Sequence, residues 1–198
     1  MRIYIEGGFE PSTKANCRRA FRAFFEKVVP LRSPLQVIAC GDRASAFQDF
    51  CSAVREHPGD FVILLVDAEE AVHHTSWQHL RERVGDQWRR PNGVTDDQAQ
   101  LMVQVMEAWF FADRDGIARY YGQKFLRKSL PGQPNIELIS KRDVYDSLRH
   151  ATSQTQKGEY HKTRHAFELL ELIDPSLVRA ASVHANRLLE VLERELAH

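Results

Sequence analysis

The segment FVILLVDAE, residues 61–69, decides the fold expected for this chain. Its first six residues are all apolar, three of them are β-branched, and Asp67 ends the run. A run of this length and composition predicts a central strand over residues 61–67 that is buried on both faces. Strands of that kind are typical of parallel sheets covered by helices on both sides.

Two further strands and two helices are predicted before this segment. Residues 2–6 have the pattern of a strand that stops at a Gly-Gly pair, and residues 35–40 that of a second strand. Between the strands, apolar residues recur at helical spacing, first as Cys17, Ala20, Phe21, Phe24, Phe25 and Val28, and then as Ala44, Phe47, Cys51 and Val54. This βαβαβ order predicts an α/β fold with a largely parallel sheet.

The rest of the chain is predicted to add a fourth strand and a helical C-terminal part. A helix is expected over residues 70–84, and a strand over residues 101–106 that runs directly into a helix carrying Glu107. A Pro/Gly-rich, basic loop is expected over residues 122–140, followed by helices over residues 143–150, 163–173 and 183–196. We therefore predict an α/β core over residues 1–122 and, over residues 123–198, a loop insertion with C-terminal helices packed on that core.

Composition is that of an ordinary globular protein. Hydrophobic residues make up 43% of the 198 residues and charged residues 27%, and the formal net charge is zero, so nucleic-acid binding would need a local basic patch. The three cysteines form no CxxC pair, which argues against a disulfide framework or a cysteine-built zinc site and favours the cytoplasm. The longest apolar run, residues 61–66, is far shorter than a membrane span.

Acidic residues follow two of the predicted strands. Glu6 ends the first strand, Asp67 ends the third, and Glu69 lies two residues further on. Because ligands bind outside the carboxyl ends of strands in open parallel sheets, we expect these side chains to lie close together. Carboxylate oxygens suit Mg²⁺ or Mn²⁺, so the three acids are candidate metal ligands. Strand-end acids are also common as helix caps or solvated loop residues, and the residues alone leave that alternative open.

A further acid lies in the apolar segment LMVQVMEAWFFAD. Glu107 has Met106, Ala108 and Trp109 as neighbours, so it is either the polar face of an amphipathic helix or a partly buried carboxylate. In the second case its pKa should rise unless a cation neutralises it. Asp113 reads as the cap of a helix that begins at Arg114.

The basic segment KGEYHKTRH precedes a predicted helix. Its Lys157, Lys162, Arg164 and His165 are candidates for holding a phosphate together with the backbone N–H groups of the helix start. The alternative is a solvated basic loop. A second basic stretch is ambiguous in the same way; it comprises Lys124, Arg127, Lys128, Lys141 and Arg142.

Several of these motifs resemble a known family. The acid in YIEGG and the acid pair in LLVDAE resemble the Toprim domain of topoisomerases, primases and overcoming-lysogenization-defect-type nucleases. Together with LMVQVMEAWFFAD and YHKTRHAFELLELIDP, they resemble domain-of-unknown-function family 4276 in motif order, over nearly the whole chain. The chain departs from the usual Toprim acid pair because it has Asp-Ala-Glu where Asp-x-Asp is expected.

The resemblance implies a Toprim-like or Rossmann-like sheet and a Mg²⁺- or Mn²⁺-dependent nuclease. Metal would be held by Glu6, Asp67 and Glu69, with Glu107 as a further acid; Glu6 would be a ligand or general base, and Lys157 or Lys162 would clamp the scissile phosphate. The implied substrate is nucleic acid, either DNA or an RNA such as tRNA. The implied setting is an antiphage defence system with an ATPase of the ABC or structural-maintenance type. A homo-oligomer is compatible with the sequence.

Two other functions stay open at this point. The chain could be a non-catalytic regulatory partner of an ATPase, with the apolar faces of its C-terminal helices as the binding surface. It could also be a nucleotidyl- or phosphotransfer enzyme that uses the same acids on a small nucleotide. The zero net charge favours the small nucleotide over a free-standing nuclease, because polymer binding depends largely on neutralising phosphates.

Overall fold

A four-stranded, all-parallel sheet organises the protein in a computed structural model that describes residues 1–29 and 35–197. The strands are β1 (Arg2–Glu6), β2 (Gln36–Gly41), β3 (Val62–Asp67) and β4 (Ala99–Met102), in the order β2-β1-β3-β4. The helices are α1 (Pro11–Glu26), α2 (Arg43–Glu56), α3 (Ser76–Glu82), α4 (Arg114–Tyr121), α5 (Lys141–Thr152), α6 (Lys162–Leu172), α7 (Pro175–Ala181) and α8 (Val183–Leu196). The predicted α/β class, parallel sheet and helical C-terminal part are confirmed.

Strand β3 lies between β1 and β4, and every residue in it is buried. Its alternate side chains enter two separate apolar clusters. Ile63 and Leu65 pack in the cluster that contains α1 and the C-terminal helices, whereas Leu64 and Val66 pack in the cluster that contains α2. Strand β2 pairs with one edge of β1 and β3 pairs with the other edge, so the direction in which strands are added reverses between β1 and β3. Their carboxyl ends therefore form the topological switch point, where doubly wound folds bind ligands.

Two predictions in the middle of the chain were wrong in extent. Of the helix predicted over 70–84, only Ser76–Glu82 is helical, because Thr75 caps it by accepting a hydrogen bond from Gln78 N at 3.3 Å. The strand predicted over 101–106 is instead Ala99–Met102. Asp67 Oδ1 accepts a hydrogen bond from Met106 N at 2.8 Å, which holds the chain after β4 out of the sheet.

The helix predicted to carry Glu107 is a short 3-10 helix, Met106–Ala112. The loop region predicted over 122–140 contains two 3-10 turns, Arg127–Ser129 and Ile136–Leu138. Helix α7, Pro175–Ala181, was not predicted; Asp174 caps it by accepting from Ser176 N at 2.8 Å.

The C-terminal helices share a core with the first half of the chain. One apolar cluster contains Ile3 and Ile5 of β1, Phe24 of α1, and Leu169 and Leu192 of the C-terminal helices. The domain boundary predicted between residues 122 and 123 stays a prediction. Within the residues that the structure describes, none of the helices combines the length and the apolar character needed to span a bilayer.

Candidate metal centre at the carboxyl edge of the sheet

Three carboxylates meet at the switch point between β1 and β3. One oxygen each of Glu6, Asp67 and Glu69 lies within 4.8 Å of the other two. The parallel register that pairs Ile5 with Leu65 brings the two strand ends level, so the acids that follow them become neighbours. The structure thus brings together the three acids that the sequence singled out.

Asp67 is the most deeply buried of the three acids. Its Oδ1 accepts from Met106 N at 2.8 Å, and its Oδ2 lies 3.7 Å from the ammonium of Lys162. Burial raises the pKa of Asp67 to about 8, because Lys162 only partly offsets the loss of hydration, and Glu6 and Glu107 add repulsion. A carboxyl group in this state holds its proton near neutral pH unless further positive charge arrives.

Glu6 is held from the α2 side. Its Oε2 accepts from Arg43 Nη1 and from Asp67 N, each at 3.3 Å. Burial raises the pKa of Glu6, and the charge of Glu69 adds to the rise, while Arg43 opposes it. Neighbouring buried acids with raised pKa values are common at functional sites, because a bound cation or substrate can compensate their mutual repulsion.

Glu69 completes the group through an uncommon backbone conformation. Its φ angle is 72°, and its backbone N donates to Gln104 O at 2.7 Å, which turns the chain away from the end of β3. The side chain forms an ion pair with Lys141 at the start of α5. Glu69 therefore reaches the other acids but already has a cationic partner.

Glycines hold the loops that surround the acids. Gly7 and Gly41 pair with each other through two backbone hydrogen bonds of 2.8 and 3.1 Å, which tie the end of β1 to the end of β2. Gly8 has a φ of 72°, and a Cβ there would lie 2.7 Å from the backbone of Lys14. Glycine is therefore required at Gly8, since any side chain would push the loop away from the first turn of α1.

Glu107 lies next to this group but has different partners. It is fully buried, and its two oxygens accept hydrogen bonds from the hydroxyls of Tyr145 and Tyr160, each at 3.1 Å. Burial raises the pKa of both tyrosines, so both hydroxyls stay protonated and donate. The ligand role predicted for Glu107 stays a prediction; in this arrangement it faces Lys162.

Lys162 is the basic residue that the structure brings to the acids. Its ammonium lies 3.7 Å from Asp67 Oδ2, 3.7 Å from Glu107 Oε1 and 3.2 Å from the Tyr145 hydroxyl. Burial of the ammonium alone would lower the pKa of Lys162, but the carboxylates of Glu107 and Asp67 outweigh it and raise the pKa. Lys162 therefore carries its charge throughout the physiological range.

The other predicted phosphate ligands lie elsewhere. The Lys157 ammonium lies 4.4 Å from the centre of the Tyr120 ring, and Arg164 is exposed on α6. His165 is buried among aromatic rings; its Nδ1 accepts from His161 N at 3.1 Å, and burial lowers its pKa. Among the described residues, no hydrogen bond or ion pair joins these three side chains to the acids.

Arg43 is the site residue that the sequence analysis missed. Besides Glu6, it contacts the backbone oxygen of Asp67 and pairs with Asp86 through two hydrogen bonds of 2.7 and 2.6 Å. A signal was present, because Arg43 follows the glycine that ends β2, on the same edge of the sheet as the acids. Tyr145 gave no comparable signal, because only the packing of α5 brings it to Glu107.

A family model described as Domain of unknown function (DUF4276) matches residues 6–193. The chain belongs to the DUF4276 family. The family resemblance inferred from the four motifs is confirmed, whereas the wider Toprim relationship stays a prediction. No curated protein and no solved structure was found to match the chain.

The acids of this DUF4276 chain fit a small divalent cation. Two oxygens that bind the same Mg²⁺ at about 2.1 Å are at most about 4.2 Å apart. The three ligand atoms lie within 4.8 Å of one another, so side-chain shifts of roughly half an ångström would close the set. Arg43 and Lys141 already pair with two of the acids, so an ion would compete with them.

A cleft of about 240 Å³ opens above the acids of the DUF4276 fold. Glu6, Asp67 and Lys162 line one part of it, and the remaining wall is mostly apolar. The glycine loop after β1 and the first turns of α6 form two of its sides, so a ligand in the cleft would contact Glu6, Asp67 and Lys162 together.

Proposed function

We propose that this protein is a Mg²⁺- or Mn²⁺-dependent phosphodiesterase of Toprim type that cuts nucleic acid. One observation carries the proposal: three carboxylates converge at the switch point of a parallel sheet, and the ammonium of the permanently charged Lys162 lies 3.7 Å from one of them, Asp67. Carboxylates and a lysine around one open cleft are suited to hold a divalent cation and the phosphate it polarises.

Each residue of the proposed centre has a distinct role. Glu6, Asp67 and Glu69 would hold the metal, which when bound supplies positive charge at the phosphate and an activated water. Lys162 would contact a non-bridging phosphate oxygen, since its ammonium lies at the mouth of the acidic group. Glu6 Oε2 is engaged by Arg43 and Asp67 N, so Oε1 is the atom placed to accept a proton from the attacking water.

Glu107 supports Lys162 in this proposal. Its charge lies 3.7 Å from the ammonium, and the two tyrosine hydroxyls fix the carboxylate in place. A metal could reach Glu107 only after Lys162 moved, because the carboxylate is fully buried. Lys157 and Arg164 are proposed to contact phosphates further along the substrate, whereas the buried ring of His165 does not support its predicted role.

Cleavage assays test the proposal directly. Purified protein is incubated with tRNA, single-stranded DNA and duplex DNA in Mg²⁺ or Mn²⁺, beside Glu6→Gln. Glu70→Gln is the matched control, since Glu70 is exposed and adjacent to Glu69. We expect the wild type and the control to cut and Glu6→Gln to be inactive. Equal cleavage by all three, or Mn²⁺ binding that Glu6→Gln leaves unchanged in calorimetry, contradicts the proposal.

Transfer chemistry on a small nucleotide is the second candidate function. The size and apolar wall of the cleft favour it, as does the zero net charge of the chain. It predicts a Mg²⁺-dependent rise in melting temperature with a nucleotide, and intact polymers after incubation. Cleavage of any polymer that depends on Glu6 would rule this candidate out.

An ATPase of the ABC or structural-maintenance type is proposed as the partner, in the cytoplasm and within an antiphage defence system. Exposed apolar side chains on the C-terminal helices, Leu172, Leu177 and Val183, support a contact surface there. Copurification with the ATPase would test it. Tight association without any Mn²⁺ binding would instead favour a purely regulatory role, with or without self-association of the chain.

A further inference from the structure

We infer that the cleft above the acids is a subsite for one unpaired nucleobase, adjacent to the phosphate position at Lys162. The inference rests on the proposed function and names the form of substrate that it takes: a single strand, or a strand end, whose base is out of the stack. A duplex with all its bases paired is then a poor substrate.

The distribution of side chains around the cleft matches a nucleotide. Its charged side chains are Glu6, Glu10, Asp67 and Lys162, and its apolar wall contains Met106 of the 3-10 helix and Phe167 of α6. A nucleotide has the same division, with a charged phosphate at one end and a flat, weakly polar ring system at the other. A bound phosphate at Lys162 would therefore direct its base along the apolar wall.

The size of the cleft limits the ligand to one base. Its volume of about 240 Å³ is below the range of roughly 300–1,000 Å³ found for sites that enclose drug-sized ligands. A single ring system fits, whereas a base pair does not. The glycine loop and α6 line the cleft, so the duplex could not enter without losing a pair.

Phe9 provides the surface on which a base would stack. The residue follows the Gly-Gly pair, lines the cleft and is 72% exposed, although it is one of the largest apolar side chains. Stacking of a base on an aromatic ring contributes about 1–3 kcal/mol and tolerates every base. Val84 is also exposed but does not line this cleft, so it serves as a control for exposed apolar surface in general.

Binding of AMP and of ribose 5-phosphate in Mn²⁺ separates the base from the phosphate. By calorimetry, we expect the wild type to bind AMP about 5- to 150-fold more tightly, as stacking predicts. Phe9→Ala should lose most of that difference while binding ribose 5-phosphate and Mn²⁺ unchanged. Phe9→Leu should be intermediate, and Val84→Ala should match the wild type.

Two outcomes would overturn the base subsite. One is equal affinity of the wild type for AMP and ribose 5-phosphate. The cleft would then not bind a base, and an apolar protein side chain would be its ligand instead. The other is a Phe9→Ala variant that keeps the full preference for AMP. Failure of the proposed nuclease is a separate result, namely intact polymers together with base-dependent AMP binding. An abasic residue placed in a single-stranded substrate should slow cleavage only if both inferences hold.

Discussion

Two cations flank the acidic group from opposite faces of the sheet, Arg43 beside Glu6 and Lys162 beside Asp67, and they are held in different ways. The side chain of Arg43, from α2, is 13% exposed and donates two hydrogen bonds to Asp86, whose side chain is 1% exposed. Lys162, from α6, is 57% exposed and approaches Asp67 and Glu107 only to 3.7 Å. Arg43 is thus committed to a buried ion pair, whereas Lys162 can turn toward a ligand.

The difference concerns how firmly each cation is held. The guanidinium of Arg43 also lies 5.0 Å from the centre of the Trp88 ring, which fixes its plane. Within the part of the chain that the structure describes, the ammonium of Lys162 donates one hydrogen bond, to the hydroxyl of Tyr145 at 3.2 Å. We infer that Arg43 fastens the two strand ends together and that Lys162 neutralises whatever anion enters the cleft.

The largest effect is expected from removal of Arg43. Arg43→Met should lower the free energy of unfolding by about 3 kcal/mol, because Asp86 and Glu6 lose a buried partner; Arg83, 3.0 Å from Asp86, keeps the loss near the low end of the usual range. Urea unfolding measures this change. The double variant Arg43→Met/Asp86→Asn should recover part of the loss. A loss below about 1 kcal/mol would make Arg43 as dispensable as a surface cation.

Lys162→Met should reduce cleavage strongly and stability only slightly, whereas Arg43→Met mainly reduces stability. In the proposed nuclease we expect cleavage to fall about a hundredfold, since a charged group that faces the reacting phosphate is removed. Stability should change less than in Arg43→Met, because the Lys162 side chain is 57% exposed and solvent screens much of its attraction to the acids. Cleavage rates and urea midpoints are measured on the same samples. If Lys162→Met destabilises the fold as much as Arg43→Met, the distinction between the two cations is wrong.

The pH dependence of stability probes the acids between the cations. The pKa of Asp67 is raised from 3.8 to about 8, so the folded state binds the extra proton and its contribution to stability declines as pH rises between these values. Asp67→Asn lacks this titration and can still accept from Met106 N. Without metal, Asp67→Asn should match the wild type below about pH 3.8 and gain on it by at most about 1.4 kcal/mol per pH unit from there toward pH 8.

Mn²⁺ should stabilise the wild type but not Asp67→Asn, and so reduce the difference in stability between them. Because the cation replaces the proton on Asp67, the rise in melting temperature with Mn²⁺ should grow with pH in the wild type and be lost in Asp67→Asn. Parallel stability curves for the two proteins at every pH would contradict the raised pKa. A rise with Mn²⁺ in both proteins would instead contradict the role of Asp67 as a ligand.

The smallest effect is expected at a third cation. Lys141 is 39% exposed and pairs with Glu69, so Lys141→Gln should free that carboxylate and tighten Mn²⁺ binding by at most about fivefold, as expected for a partly exposed pair. The neighbouring Arg142→Gln is the control, because Arg142 pairs only with Asp146 among the described residues. Calorimetry with Mn²⁺ decides; weaker binding after Lys141→Gln would mean that the lysine helps to assemble the site.

The fold and the acidic group were predictable because they depend only on the apolar pattern of the strands and on their parallel arrangement. An apolar run places β3 in the centre of a parallel sheet, and parallel strands bring their carboxyl ends to one edge, so Glu6 and Asp67 had to be neighbours. The family followed from the order of the motifs. No side-chain geometry was needed for these conclusions.

The surroundings of the acids were less predictable because they depend on tertiary contacts. Lys157 and Lys162 belong to the same basic run, and only the docking of α6 against the sheet decides which one faces Asp67. The end of β4 was misplaced because Asp67 captures Met106 N, a contact between segments 39 residues apart. The partner of Arg43 was equally hidden, since Asp86 lies in a loop whose path no sequence pattern specifies.

The distance along the chain between the parts of the centre has a consequence for synthesis. Glu6 and Asp67 are 61 residues apart in the sequence, and Glu107 and Tyr160 are 53 residues apart, so the centre consists of non-local contacts. A ribosome-bound chain that ends before α6 carries the acids but lacks the lysine opposite them. The centre is therefore completed only after α6 has been synthesised, and the growing chain is without the proposed activity until then.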